Sequence, residues 1–446
     1  MKPLSPDHPI VSAVSKEAFP FATELDFDPL VAAAADKEIV MIGESTHGTK
    51  EFYRLRAQIT QRLIVEHGFD TVAVEADWPD AYTVHRYVCG QSEDVNADEA
   101  LNDFERFPTW MWRNREVQHF VEWLRAHNID RPQPVGFYGL DLYSMNTSMH
   151  AVVSYLNRVD PLSAHRARQR YACLDHFMDH PQSYGYATEM GMIESCEKEI
   201  VAQIEELHRK SWAYLQHNGG TVEDEYFSAK QNALLVHAAE QYYRALFRGR
   251  PDSWNLRDKH MFSTLGQLME HRSKRLNRKS KTVVWAHNSH VGNASATEMA
   301  LRGEYNVGQL VRSSHGAHAL LVGFSTCRGT VRAASDWDAP DEVKDIVEPL
   351  AGSYEQIFHH VNEGKFLLDL REDNTATDML QEHRLLRAIG VVYKPETERY
   401  SHYVYSCLPK QFDFIIHINN TTAVEPIETI THIHHGEMDE TYPSGI

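Results

Sequence analysis

The sequence predicts an α/β fold: a three-layer α/β/α body with a mainly parallel sheet and a large helical insertion. Three observations point there. Apolar runs near 38–43, 70–75, 134–141 and 281–287 each stop abruptly at acidic or imidazole side chains, as parallel strands do at the ligand edge of an open α/β sheet. The stretch between Asp141 and the strand at 281 is too long for a simple crossover and carries a helical pattern nearly throughout. Beyond it, short apolar runs alternate with helical patterns again, which resumes the sheet.

In chain order, residues up to about 36 read as an irregular arm followed by a helix built on Leu30-Val-Ala-Ala-Ala-Ala, a good helix former. The first βαβ unit comprises strand 38–43, helix 50–67 and strand 70–75. Its helix sets Phe52, Leu55, Ile59 and Leu63 on one face, and Arg56 borders that face, where an arginine needs a partner or a ligand. Helical segments near 148–158, 162–178, 189–217, 223–249 and 256–274 form the insertion, with Gln216-His-Asn-Gly-Gly-Thr221 as its clearest internal break. It is expected to cover the mouth of the sheet, with some of its aromatic and Met side chains lining a substrate roof. Strands at 281–287, 317–325, 330–334, 365–370 and 411–417, with helices near 304–314, 353–363 and 376–388, complete the body. The organisation is therefore 1–147 as the first part of the body, 148–278 as insertion or lid, and 279–446 as the second part. Asp336-Trp-Asp-Ala-Pro-Asp-Glu reads as a solvated acidic loop in preference to a site for a cation or sugar amine, and Thr429-Ile-Thr-His-Ile-His-His-Gly436 as a terminal strand with adventitious affinity for metal.

Composition narrows the class. A chain of 446 residues, 42% hydrophobic and 24% charged, can bury a large core, and a net charge of −19 argues against nucleic-acid or anionic-membrane surfaces. No run reaches transmembrane length and the N-terminus lacks the apolar core of a signal peptide, so a cytoplasmic location is expected. Cys89, Cys173, Cys196, Cys327 and Cys407 are dispersed without a Cys-x-x-Cys, which fits reduced thiols rather than a disulfide framework.

The chemistry concentrates at the strand ends. In Ile39-Val-Met-Ile-Gly-Glu-Ser-Thr-His47-Gly, Glu44 and His47 stand three residues apart between two glycines, a spacing that lets a tight turn aim both side chains into one pocket. Capping and hydrogen bonding alone would account for one such turn. The pattern recurs at Glu75, at Asp141 and at His287/His290, and four parallel strands ending this way would converge on one site.

Together, Gly43-Glu44-Ser-Thr-His47, Glu51-Phe-Tyr-Arg-Leu-Arg56, Gly68-Phe ahead of Glu75, Gly139-Leu-Asp141, Arg257-Asp258-Lys-His-Met, Ala286-His287-Asn-Ser-His290, Gly308-Gln309 and Phe412-Asp413 resemble the erythromycin esterase family. The resemblance spans nearly the whole chain. It implies hydrolysis of an ester or lactone without a tightly bound metal, and it implies that Arg56 points into the pocket to bind developing negative charge. From the chemistry of ester hydrolysis, and not from the resemblance, His47 and His287 are the candidate base and acid, with His47 named as the base and Glu44 or Glu75 holding one imidazole in its useful tautomer. Ser45 and Ser289 lie outside any Gly-x-Ser-x-Gly, so direct attack by water is preferred to a covalent route. His290, Trp78, Asp141 and Asp258 are assigned to substrate binding, and Asp141 and Asp258 have structural readings as well, a helix cap and a solvated helix residue. Ala76-Asp77-Trp78-Pro79 departs from the macrolide-cleaving members, so the pocket is expected to suit something other than erythromycin.

Two alternatives stand beside this. The same histidines and carboxylates could hold zinc, manganese or iron in a metal-dependent hydrolase, although no His-Glu-x-x-His is present. The pocket could also sequester a small molecule without turning it over. The expected partner is a small-molecule substrate, with no nucleic acid, membrane or cofactor, and nothing in the sequence sets the oligomeric state.

Overall fold

The computed structural model describes residues 3–177, 180–216, 220–248 and 250–427; the histidine-containing tail at 429–436 lies outside them. Among the described residues the strands are β1 (Phe19–Pro20), β2 (Ile39–Ile42), β3 (Thr71–Asp77), β4 (Gly136–Asp141), β5 (Thr282–Trp285), β6 (Ala319–Ala334), β7 (Asp341–Ile346), β8 (Lys365–Asp369), β9 (Arg384–Arg387), β10 (Tyr403–Ser406) and β11 (Phe414–Thr421). Nine of them form one sheet in the order β1-β8-β11-β6-β2-β5-β3-β4, with β7 paired to β6, while β9 and β10 form a separate ribbon. The stretch from β11 to β4 is parallel throughout, and β1, β7 and β8 join antiparallel. This is the expected α/β class with a mainly parallel sheet.

Register decides where the chemistry goes. Ile42 pairs with Trp285, Trp285 with Val74, and Val74 with Gly139, so β2, β5, β3 and β4 are level at their carboxyl ends. Residues just beyond that row, including Glu44, Glu75, Asp141 and His287, therefore leave the sheet along one edge. The strands themselves are buried on both faces, which is why they read as apolar runs without alternation.

The helix Lys50–His67 follows the Glu44/His47 turn. Phe52, Leu55, Ile59 and Leu63 bury its inner face as the spacing demands, and Gly68 ends it at φ 66°, a left-handed conformation that glycine adopts without a Cβ penalty. Gly48 is required for a different reason: a Cβ there would sit 1.8 Å from the Arg332 carbonyl oxygen, so β6 packs against the turn backbone to backbone.

The insertion runs as helices between Met145 and Leu276, the longest being Gly220–Ala245 and Arg250–Leu276. Its apolar faces join one continuous core with one face of the sheet, in which Trp78 packs its ring 5.6 Å from Tyr138 and 5.7 Å from Phe227.

Several expectations are corrected. The N-terminal arm holds a helix, Pro9–Glu17, capped by His8. The helix expected at 376–388 stops at Leu380, and Arg384–Arg387 is strand β9, because pairing with β10 outweighs a local pattern that is equally helical. The runs at 317–325 and 330–334 are one strand, β6, interrupted in its apolar pattern by the exposed Arg328 and by Gly329 at φ 117°. Cys173 and Cys196 form a disulfide with Cα atoms 6.1 Å apart, whereas Cys89, Cys327 and Cys407 are free; a separation of 23 residues carries no pairing signal until the helices fold back. No helix among the described residues is long and apolar enough to cross a membrane.

Candidate active site

The turn after β2 places Glu44 and His47 side by side, with His47 Nδ1 2.9 Å from Glu44 Oε1. Arg56, nearly two turns into the following helix, brings Nη2 to 2.7 Å from Glu44 Oε2, a close contact of opposite charges without hydrogen-bond alignment. Its guanidinium lies 4.5 Å from the centre of the Tyr53 ring and 5.2 Å from that of Trp285. Tyr53 donates its hydroxyl to the His47 carbonyl at 2.7 Å. The Glu44 side chain is wholly buried, with His47 and Arg56 against its two oxygens.

A second charged cluster abuts the first. Arg257 Nη2 donates to Glu75 Oε1 and to Asp141 Oδ2, both at 2.7 Å, and Arg257 Nε donates to Asp141 Oδ1 at 3.0 Å. The other oxygen of Glu75 accepts the His287 backbone N–H at 2.7 Å, which ties β3 to the end of β5. His290 stands behind Glu75, Nε2 3.3 Å from Oε1, while its Nδ1 lies 2.9 Å from Asp258 Oδ1. Trp254 stacks on the His290 ring at 4.7 Å. Burial would raise the Glu75 carboxyl, but His290 and Arg257 hold it well below the usual carboxylate range. Burial would likewise depress His290, but Asp258 and Glu75 raise it to about 9, so this imidazole is a structural cation at neutral pH. Asp258 is itself pushed up by burial against the pull of His290.

His287 behaves oppositely. Burial and the neighbouring His47 hold it well below the ordinary histidine value, so the ring stays neutral. Its Nδ1 is 2.8 Å from Ser289 Oγ and receives the Ser289 backbone N–H at 3.3 Å. The single proton of the neutral ring therefore sits on Nε2, a buried atom, and the Ser45 backbone is among the groups acting on this ring. The His47 and His287 ring centres are 4.8 Å apart.

A cleft of about 90 Å³ opens onto this cluster. His47, Glu75, Asp141 and Arg257 form its polar wall, and Phe104, Phe107, Trp112, Tyr143 and Trp337 form aromatic walls. The expected residues thus come together with different stations. His47, Glu44, Glu75, Asp141 and His287 are at the cleft or touching a residue that is. Arg56 is 1% exposed and sits behind Glu44, so it supports that carboxylate and does not face the cleft. His290 and Asp258 are fully buried behind Glu75. Trp78 is turned away from the cleft: its Nε1 donates to Ser228 Oγ at 3.1 Å and its ring fills the core under the insertion. Of the insertion's described residues only Arg257 lines the cleft, because its Met and aromatic faces are spent on packing the helices together. The roof comes from 104–112 and Trp337, and Trp337 places part of the acidic loop in the site.

Arg257 carries a signal that was there to be read. It falls in register with Met261, Leu265 and Leu268, all buried, and an arginine on an apolar stripe requires a counter-charge. The carboxylates and imidazoles converge on Arg56 and Arg257, and no group of three or more His, Cys, Asp or Glu among the described residues is arranged to hold a metal ion.

The comparisons with known proteins bear on the family and the fold. A family model described as erythromycin esterase matches residues 64–421, beginning after the Glu44/His47 turn. Erythromycin esterase type II of Escherichia coli is 28% identical over 117 residues, 26% of each chain. A hydrolase of Bacillus subtilis (strain 168), YbfO, described only on a provisional basis, is 24% identical over 146 residues, 32% of this chain and 30% of its own. The matches thus span only about a quarter to a third of these relatives. Solved structures cover more: a succinoglycan biosynthesis protein (TM-score 0.75, 22% identity, 94% of this chain and 98% of that one), a Bacillus cereus protein (TM-score 0.78, 21%, 96% and 100%) and a mutant of the erythromycin esterase EreC in its open conformation (TM-score 0.66, 14%, 92% and 97%) share the fold. With the family model covering most of its length, the chain belongs to the erythromycin esterase family.

Proposed function

We propose that the protein is a carboxylic ester hydrolase acting on a small-molecule ester or lactone by direct attack of water. Membership of the erythromycin esterase family supports the hydrolase class. The observation that carries the mechanism is the pair of complementary tautomers. His47 gives its Nδ1–H to Glu44, which leaves the Nε2 lone pair to take a proton from water. His287 accepts at Nδ1 and offers Nε2–H, a neutral donor suited to the oxygen that becomes negative in the tetrahedral intermediate. Water adds to the acyl carbon as His47 takes its proton. The intermediate then collapses with loss of the alkoxide, and His47 returns the proton to it, giving acid and alcohol. Glu44, held by Arg56, stabilises the transient imidazolium, and His290 and Arg257 keep Glu75 ionised in the same wall as His47.

The test is a screen of neutral, cationic and macrocyclic esters and lactones with wild type, His47→Ala and His287→Ala, with and without chelator. Chelator-resistant turnover lost by about 10²–10⁴-fold in His47→Ala is expected. Chelator-sensitive turnover would transfer the same residues to a metal-dependent mechanism, and tight binding without turnover would make the protein a binding module.

A further inference from the structure

Beyond the reacting centre, one stretch of the cleft wall is unlike the rest. Asp77, at the end of β3, and Asp80, in the first turn of the helix Trp78–Val88, both line the cleft and are 9% and 7% exposed. Asp77 accepts the Ser144 backbone N–H at 3.1 Å. Asp80 has no hydrogen bond or ion pair among the described residues. An acid in the first turn of a helix favours the dipole just as well in water, at no desolvation cost. Here it is enclosed beside other acids instead. Burial, Asp77 and Asp103 push Asp80 up to about 9, with Arg106 the one opposing cation among its main influences. Trp112 and Trp337 line the same cleft. Tyr143 in the same wall already accepts two cations on its ring, Arg106 at 4.6 Å and Arg257 at 4.9 Å. Arg106 also lines this cleft with its guanidinium over the Tyr143 ring, and Arg257 is already engaged by Glu75 and Asp141.

We propose that Asp77, Asp80 and the indoles of Trp112 and Trp337 form a subsite for an alkylammonium group, so that the preferred substrates are esters carrying a cationic amine remote from the scissile bond. This rests on the hydrolase reading for the word "substrate" but not for the binding itself. A cation entering the subsite ionises Asp80, and its binding at neutral pH therefore releases a proton.

The experiment pairs choline with its uncharged isostere 3,3-dimethylbutan-1-ol in calorimetric titrations, and the acetate esters of the two in turnover assays. Wild type should bind choline about tenfold or more tightly than the neutral alcohol, the scale of one well-placed charge and cation–π contact. The heat should vary with buffer ionisation enthalpy as proton release requires. In Asp80→Asn and Asp80→Ser, each shown folded by thermal unfolding, the preference should fall toward unity. The same binding preference should survive in His47→Ala. Equal affinity for the two alcohols, or a preference untouched in both Asp80 variants, would overturn the subsite. Preferential choline binding without hydrolysis of any ester would retain the subsite and refute the hydrolase reading, while hydrolysis of both acetates with equal kcat/KM would do the reverse.

Discussion

Replacing Asp258 by Asn tests the charge architecture behind the site. In the folded protein His290 is raised from 6.5 to about 9, with Asp258 the largest favourable influence on a fully buried ring. At about 1.4 kcal/mol for each pH unit, that difference corresponds to about 3 kcal/mol of folding stability. Because the folded value lies above the unfolded one, the contribution is complete below about pH 6.5 and is lost as pH rises through about 9. Asparagine keeps an oxygen for the Val307 backbone N–H, which Asp258 accepts at 2.9 Å, and for His290 Nδ1, so the change removes charge more than contacts. The contribution of Glu75, whose carboxyl is depressed, is complete above about 4.5 and therefore constant across this window. Denaturant unfolding of wild type and Asp258→Asn between pH 6 and 9.5 gives a difference curve that should fall by about 3 kcal/mol from pH 6.5 to 9. Titration of the His290 ring by NMR should move to or below the ordinary histidine range in the variant. A difference curve that stays flat across this window would refute the assignment of His290 as a structural cation.

Arg257→Met should cost about 3–5 kcal/mol, because it leaves the buried Asp141 without its cation and Glu75 with His290 alone, and Glu75 should then titrate upward by NMR. Glu44→Gln should lower kcat by about 10²-fold or more with little change in KM, since the amide can present N–H to His47 and stabilise the wrong tautomer; unchanged kcat would remove Glu44 from the mechanism. Gly48→Ala should destabilise by about 3 kcal/mol in denaturant unfolding, the upper end of the usual overpacking cost, because the obstructing atom is backbone of β6 and cannot rotate away. Tyr53→Phe should cost about 1 kcal/mol, the worth of one hydrogen bond to the His47 carbonyl, and should weaken catalysis more than it weakens binding.

The places where strands end were legible in the sequence because they are local events. An apolar run that stops at Glu44, Glu75, Asp141 or His287 announces its polar terminus whatever its neighbours are, and the helical periodicity of Lys50–His67 is equally local. The family could be read from the same residues. Lateral order and side-chain address could not. β5 is inserted between β2 and β3 after more than a hundred residues of insertion, and only that order lets the His287 backbone meet Glu75 and Asn288 N–H meet the Glu44 carbonyl at 2.8 Å. Arg56 was read as a pocket residue from the family resemblance, and Trp78 because it follows Glu75 in sequence. The helix that carries each one turned Arg56 behind Glu44 and Trp78 into the core. Arg257, Asp80, Trp112 and Trp337 reach the cleft from four separate elements, and their electrostatic partners lie on others. Burial and counter-charge are properties of the assembled surroundings: the same residue type is a depressed, neutral imidazole at His287 and a raised, cationic one at His290, three positions along one chain. The sequence by itself determined which residues could do acid–base chemistry and at which sheet edge; the tertiary structure decided which of them face the cleft and which charge each one carries, because desolvation and pairing act through space.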